Sequence, residues 1–151
     1  MSGKLGRGSQ GRRPVKYRPL RHTADLGWRI RGASLEEIYV HAAQALTATL
    51  TDRRRLRGQE VREISAEAPD REALLVAWLN RLLYLYDVEA FLGRDFVIVD
   101  LTPEKLTARV SGDIYDPARH VGKTAVKAAT YHHLEITHQP HGWQATVILD
   151  L

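Results

Sequence analysis

Trp28 and Ile30 alternate with Arg29 and Arg31, a period of two that predicts a strand with one wet face, ended by Gly32. Ser34 follows, with Glu37 three residues on, the capping-box spacing in which each side chain satisfies a free backbone N–H. Leu35, Ile38, Ala42, Leu46, Thr49 and Leu50 then recur at helical spacing, to about Asp52. A second helix is predicted after Pro69, with Asp70 as its cap and Glu72 favoured by the positive end of the dipole. Leu74, Leu75, Trp78, Leu79, Leu82, Leu83 and Tyr86 give it a wide apolar stripe, which marks it as the central helix. By default Glu36–Glu37 is a solvated face, and Arg53–Arg54–Arg55 is a basic helix end that complements the dipole.

After Gly93 the pattern changes to strand chemistry. Phe96–Val97–Ile98–Val99 is short and β-branched, and Leu106, Ala108 and Val110 alternate with polar neighbours. Residues 112–117 read as a loop. His132, Leu134 and Ile136 alternate with His133, Glu135 and Thr137, residues 139–142 read as a turn, and Trp143, Ala145, Val147, Leu149 and Leu151 make one face of a last strand. The order is strand, helix, strand, helix and then a run of strands. It predicts one α+β domain, two helices packed on a mostly antiparallel sheet, with no internal repeat.

The chain has 151 residues and 44% hydrophobic content, enough for one domain with a sizeable core. No apolar run approaches the roughly 18 residues of a membrane-spanning helix, and the first fifteen residues lack the apolar stretch of a secretory signal. The absence of cysteine excludes a disulfide scaffold, a thiolate zinc site and a cysteine nucleophile. A soluble protein of the cytoplasm is the expectation. Charge refines the picture: Lys4, Arg7, Arg12, Arg13, Lys16 and Arg18 crowd the start without an acid, leaving 16 basic residues against 18 acids in the rest. Residues 1–16 therefore read as a flexible, basic, glycine-rich tail ahead of a slightly acidic domain over 17–151. Such an arm can gather phosphates without reading sequence, or merely keep the protein soluble. Its Gly6-Arg7-Gly8-Ser9-Gln10-Gly11 matches a dinucleotide-binding string, but no apolar strand precedes it and Arg12-Arg13-Pro14 cannot open the required helix.

A nucleophile elbow, a P-loop and an HExxH helix are all missing. His132 and His133, adjacent on a regular strand, would point to opposite faces, and His132 and His138 would lie about 20 Å apart, so a histidine zinc site is not expected. The acids are more suggestive. Asp25 sits in the polar stretch His22–Gly27, read as a turn, while Asp150 alternates onto the face of Gln144, Thr146 and Ile148, directly before the carboxylate of Leu151. Asp25, Asp150 and Leu151 would form an oxygen-only site for a hard cation, Ca²⁺ or Mg²⁺, if the last strand lies beside the Asp25 segment; otherwise one aspartate caps a turn and the other is a solvated end. An extended Lys127–His132 would place Lys127, Ala129 and Tyr131 on one side and His132 on the other. A lysine beside a tyrosine can hold a phosphate or a partner's carboxylate, or simply cover the ring.

Several blocks together resemble the archease family: His22–Gly27, Leu35-Glu36-Glu37 running to Leu50-Thr51-Asp52, Leu74–Asn80 with Leu82–Leu85, Gly112-Asp113 with Asp116 and His120, Lys127–His132, and the closing Val147–Leu151. They occur in the family's order over residues 17–151. The resemblance implies an accessory protein cofactor of an RtcB-type tRNA-splicing RNA ligase, not itself an enzyme. It would promote guanylylation of the ligase's active-site histidine, and hence repeated turnover on RNA ends with GTP. It also implies a divalent cation, Ca²⁺ first with Mg²⁺ or Mn²⁺ as alternatives, held by Asp25, Asp150 and the terminal carboxylate of Leu151. Lys127, Tyr131, His132 and Asp52 fall in matching blocks as candidate partner or phosphate contacts. Arg81 stands where the family usually carries an acid, Asp113 replaces the more usual Glu, and the basic tail is additional. The rival expectations are an RNA-binding or chaperone-like modulator of a tRNA modification enzyme, which would use the basic arm, and a metal-dependent hydrolase, which would need a general base that the chain does not display.

Overall fold

The computed structural model describes residues 15–21 and 25–151. The glycine-rich string of the tail and the His22–Ala24 part of the expected Asp25 turn lie outside the described residues. The elements run β1 (Tyr17–Arg21), β2 (Asp25–Gly32), α1 (Leu35–Leu50), a 3-10 turn (Arg53–Arg55), β3 (Glu60–Glu67), α2 (Arg71–Glu89), β4 (Phe91–Leu101), β5 (Lys105–Ile114), β6 (Ala128–Gln139) and β7 (Gly142–Asp150). Every strand pair is antiparallel. The predicted α+β class with two helices holds, but the strands form two sheets, a four-stranded one in the order β1-β2-β7-β6 and a three-stranded one in the order β3-β5-β4. No helix among the described residues is long and apolar enough to cross a membrane.

The helices tie the two sheets together. α1 packs on β2 of one sheet and β4 of the other, while α2 packs on β6 and β3. Both start as their sequences dictate. The Ser34 hydroxyl accepts from the Glu37 N–H at 3.3 Å while the Glu37 carboxylate accepts from the Ala33 N–H at 2.8 Å, and the Asp70 carboxylate accepts from the Ala73 N–H at 2.8 Å. Each bond satisfies a donor that the first helical turn leaves open. The apolar stripe of α2 is buried from Leu74 through Leu83, with Trp78 fully enclosed. The Trp78 indole N–H donates to the Tyr39 carbonyl at 3.0 Å, and its ring meets Phe96 edge-on at 6.2 Å. Packing between β4 and β5 is close enough that Gly112 is obligatory: a Cβ there would fall 2.1 Å from the Leu92 carbonyl oxygen.

Several local expectations are corrected. α1 stops at Leu50, and Thr51, extended, caps it through its own N–H to the Thr47 carbonyl at 2.9 Å. The three arginines that follow are thus a separate 3-10 turn and not a basic helix end. Asp52 caps that turn, and Arg53 reaches away to the Arg94 carbonyl and the Asp95 carboxylate. Gly112, Asp113 and Ile114 finish β5 and are not loop, β4 begins before Gly93, and β1 carries no pattern that periodicity could recognise in five residues split by Pro19.

Candidate functional site

The antiparallel ladder brings the two distant ends of the chain's domain together. Asp25 opens β2 and lies directly across from Asp150 at the end of β7, and Asp150 in turn faces Ala128 at the start of β6. The Asp25 segment is therefore strand and not the turn that the sequence suggested. Directly opposed residues project to the same side of a sheet with Cβ atoms about 4.5–5.5 Å apart, and like charges so placed repel. Asp25 is half-buried and Asp150 exposed, with the exposed Leu151 next in line. The pair is anchored from behind, because Leu149 and Val147 alternate into the core and the Lys127 N–H donates to the Asp150 carbonyl at 2.7 Å.

A short strap links this end to α1. The Lys123 and Thr124 N–H groups donate to the Leu50 and Thr49 carbonyls, each at 3.0 Å, three residues before Lys127 meets Asp150. Three residues span at most about 11 Å, so the carbonyl end of α1 and the acidic pair share one pole of the molecule. The negative end of the helix is itself compensated there, since the Lys123 ammonium donates to the Ala48 carbonyl at 2.8 Å. Among the described residues no three His, Asp or Glu side chains gather to hold an ion. The set in question is two aspartates and the carboxylate of Leu151, all oxygen donors, which is the chemistry that Ca²⁺ and Mg²⁺ take and that suits neither zinc nor copper.

The other singled-out residues fall on the same strand system or apart from it. In β6 the register jumps from Thr130–Ile148 to Glu135–Thr146, so residues 131–134 oppose Val147 alone. The strand bulges outward, with Tyr131 66% exposed and His132 and His133 exposed beside it. His133 sits at φ 54°, and the two imidazole rings lie 4.0 Å apart. The expectation that these histidines face opposite sides assumed a regular strand, and the bulge removes that alternation. Ala129 is buried while Lys127 and Tyr131 are exposed, so the three do not form one common wet edge. Asp52 is committed to the 3-10 turn. Its carboxylate accepts from the Arg54 side chain and backbone, which hold it below its ordinary pKa.

Asn80 went unassigned in the sequence, although the signal is legible: a polar residue four after Val76 and three before Leu83, on the edge of the apolar stripe. Its amide N–H₂ donates to the Ala129 carbonyl at 3.2 Å and its amide oxygen accepts from the Ala129 N–H at 2.8 Å. A helix side chain thus stands in for a missing strand beside β6, just before the bulge. Asn80→Ala is expected to cost about 2 kcal/mol, because it orphans both groups. Hydrogen exchange should report it as loss of protection at the Ala129 amide.

Asp113, the departure from Glu, is structural. It is 2% exposed, and its two oxygens accept from the Arg57, Gly58 and Gln59 N–H groups at 2.7, 2.9 and 3.0 Å. Gly58 at φ 72° supplies the left-handed backbone that turns these donors inward. Nδ1 of the buried His120 accepts from the Asp116 N–H at 2.8 Å, which puts the ring proton on Nε2, 3.4 Å from Asp113. Arg81 is exposed on α2, with its guanidinium over Tyr84 at 5.5 Å, so the charge reversal there changes a surface and leaves the acidic pole untouched.

Residues 17–151 match the model of the Archease protein family (MTH1598/TM1083). The chain is 37% identical over 147 residues to the protein archease of Methanosarcina barkeri, covering 95% of this chain and 99% of that one. It is 39% identical over 134 residues to that of Pyrococcus abyssi, covering 86% and 94%. Among solved structures it resembles protein 1598 of Methanobacterium thermoautotrophicum, with a TM-score of 0.74, 31% identity and coverage of 90% and 99%. An archease of Thermotoga maritima, described as a possible chaperone, shares the fold at a TM-score of 0.60 and 22% identity, over 95% of this chain and 100% of that one. A family match over the whole folded body, with relatives above 30% identity along nearly their full length, has one meaning: the chain belongs to the archease family.

Proposed function

We propose that this protein is an accessory activator of an RtcB-type RNA ligase, which presents a cation-loaded acidic pole to the ligase and promotes its guanylylation by GTP. The observation that carries the reading is the Asp25–Asp150 register in a chain of this family. Asp25, Asp150 and the terminal carboxylate of Leu151 would hold a divalent cation, Ca²⁺ first and Mg²⁺ or Mn²⁺ as alternatives. When bound, such an ion supplies charge neutralisation and orientation for phosphoryl-type transfer.

The chain's own residues do the positioning. Four paired strands fix the carboxylates relative to one another, and the bond from Lys127 holds the last residues of β7 against the start of β6. Two carboxylates facing each other across the ladder raise the local negative potential, which favours a cation there. The exposed Lys127 ammonium, Tyr131 and His132 stand on the adjoining β6 edge and bulge, where they can meet a phosphate or a carboxylate of the partner. In this reading the ligase carries the chemistry and the acidic pole acts on it.

The test combines purified cognate ligase, GTP and RNA with broken ends, with and without this protein. The reading predicts faster guanylylation and more than one ligation per ligase molecule when the protein is present. Equal guanylylation in both would overturn it. Salt-sensitive RNA binding that is lost with residues 1–16, without any effect on the ligase, would favour the RNA-binding alternative.

A further inference from the structure

The opposite end of the same sheet carries the reverse chemistry. β2 ends and β7 begins beside a cavity of about 550 Å³, lined among others by Lys16, Arg31, Glu37, His41, His141 and Trp143. Arg31 donates its N–H to the Lys16 carbonyl at 2.8 Å and pairs with Gln144 across the sheet, so two cations sit opposite each other as the two aspartates do at the far pole. Like charges in this position repel unless an anion lies between them. Among the described residues none of the ion pairs takes up Lys16 or Arg31. Among the described residues the one acid on the cavity wall, Glu37, is engaged as the cap acceptor for Ala33.

Two histidines border the cavity as well. His41 must donate from Nδ1 to the Arg31 carbonyl, at 2.5 Å, because a carbonyl has no proton to give. That bond fixes the ring against the strand that carries Arg31. His141 sits in the β6–β7 turn on the same cavity. Trp143 cannot serve as a stacking platform: His138 stacks on it at 4.6 Å, and the Arg71 guanidinium lies over its ring at 5.2 Å. Arg71 adds further positive charge, and with the indole already stacked, recognition has to come from charge and not from a base.

We propose that this cavity is an anion site for a phosphate group, held by Lys16 and Arg31 with His141 as a neighbouring donor and His41 bordering the site. Its volume is in the range of about 300–1,000 Å³ of small-molecule sites, so the phosphate can belong to a free nucleotide or to the end of an RNA chain. The site is independent of the acidic pole and of any ligase.

The test uses the full chain, tail included, in every sample, so that the tail's own attraction for phosphate is common to all. Pyrophosphate is titrated while ¹H–¹⁵N spectra follow the imidazoles of His41 and His141 and the Gly32 and Ala33 amides. Saturable shifts at these positions are expected. A Lys16→Gln, Arg31→Gln double variant should bind at least about tenfold more weakly, the loss of a charge-assisted hydrogen bond or more. Guanosine monophosphate and a short single-stranded RNA bearing a 5′-phosphate are then compared on the same resonances, and whichever binds tighter identifies the source of the phosphate. Shifts confined to other basic regions, such as Arg53–Arg55, would overturn the proposal. So would equal affinity in the double variant. Should that variant fail to fold, His141→Gln in the exposed turn and the wild-type shifts decide alone.

Discussion

Asp113→Ala is expected to lower the stability of the fold by about 3 kcal/mol, since it takes the shared acceptor from three part-buried backbone N–H groups and opens a small void. For a domain of this size that is a fall in Tm of about 10 °C. The carboxylate receives three N–H bonds from a single turn and also faces His120, so its loss releases β5 from the segment that leads into β3. The charge has a pH signature. Burial alone would raise the Asp113 pKa, but the N–H bonds from Arg57, Gln59 and Gly58, with His120 adding to them, bring it below the ordinary carboxylate value. A folded pKa below the unfolded one gives stability that is fully present above the unfolded value, about 4, and lost as pH falls through the folded value. Chemical denaturation should therefore show the wild type losing stability on acidification below about pH 4 more steeply than Asp113→Asn. Parallel curves would contradict the assignment.

Asp25→Asn and Asp150→Asn together are expected to do the opposite. Stability should change by no more than about 1 kcal/mol, because removing facing like charges relieves as much as it loses. Stimulation of the ligase, by contrast, should fall to the level seen without the protein. The contrast is what separates a site from a structural role: Asp113→Ala impairs function only as far as it unfolds the chain, while the double asparagine variant loses function with the fold intact. A double variant that is folded and stimulates as well as the wild type would leave the carboxylates without a functional part.

How much of this was readable before any coordinates depends on the range of the interaction. Ser34, Asp70 and the α2 stripe announce themselves, because caps and amphipathic faces are written within a few residues. β1, five residues interrupted by Pro19, offers no alternation to detect, and the strand expected between the helices carries no residue assignment because the apolar residues of β3, the exposed Val61 and the buried Ile64 and Ala66, do not alternate regularly. The bulge in β6 was invisible because its cause is the register with β7, and the sequence around His132 keeps a plausible period of two across it. The acidic pole was legible as chemistry, from Asp25, Asp150 and the chain end, but its convergence is a long-range fact that the β2–β7 ladder alone supplies. The basic cavity was missed for the same reason, since Lys16, Arg31, His41 and His141 share no local spacing.

The central claim is that Asp25, Asp150 and the carboxylate of Leu151 make one cation site, and anomalous diffraction from crystals soaked in Mn²⁺ tests it most directly. A single peak within about 2.6 Å of oxygens from all three residues is the predicted result. It should vanish when a tag appended after Leu151 turns that carboxylate into an amide while the fold persists. A peak that ignores Leu151, or none at this pole in crystals that bind the ion elsewhere, would contradict the account.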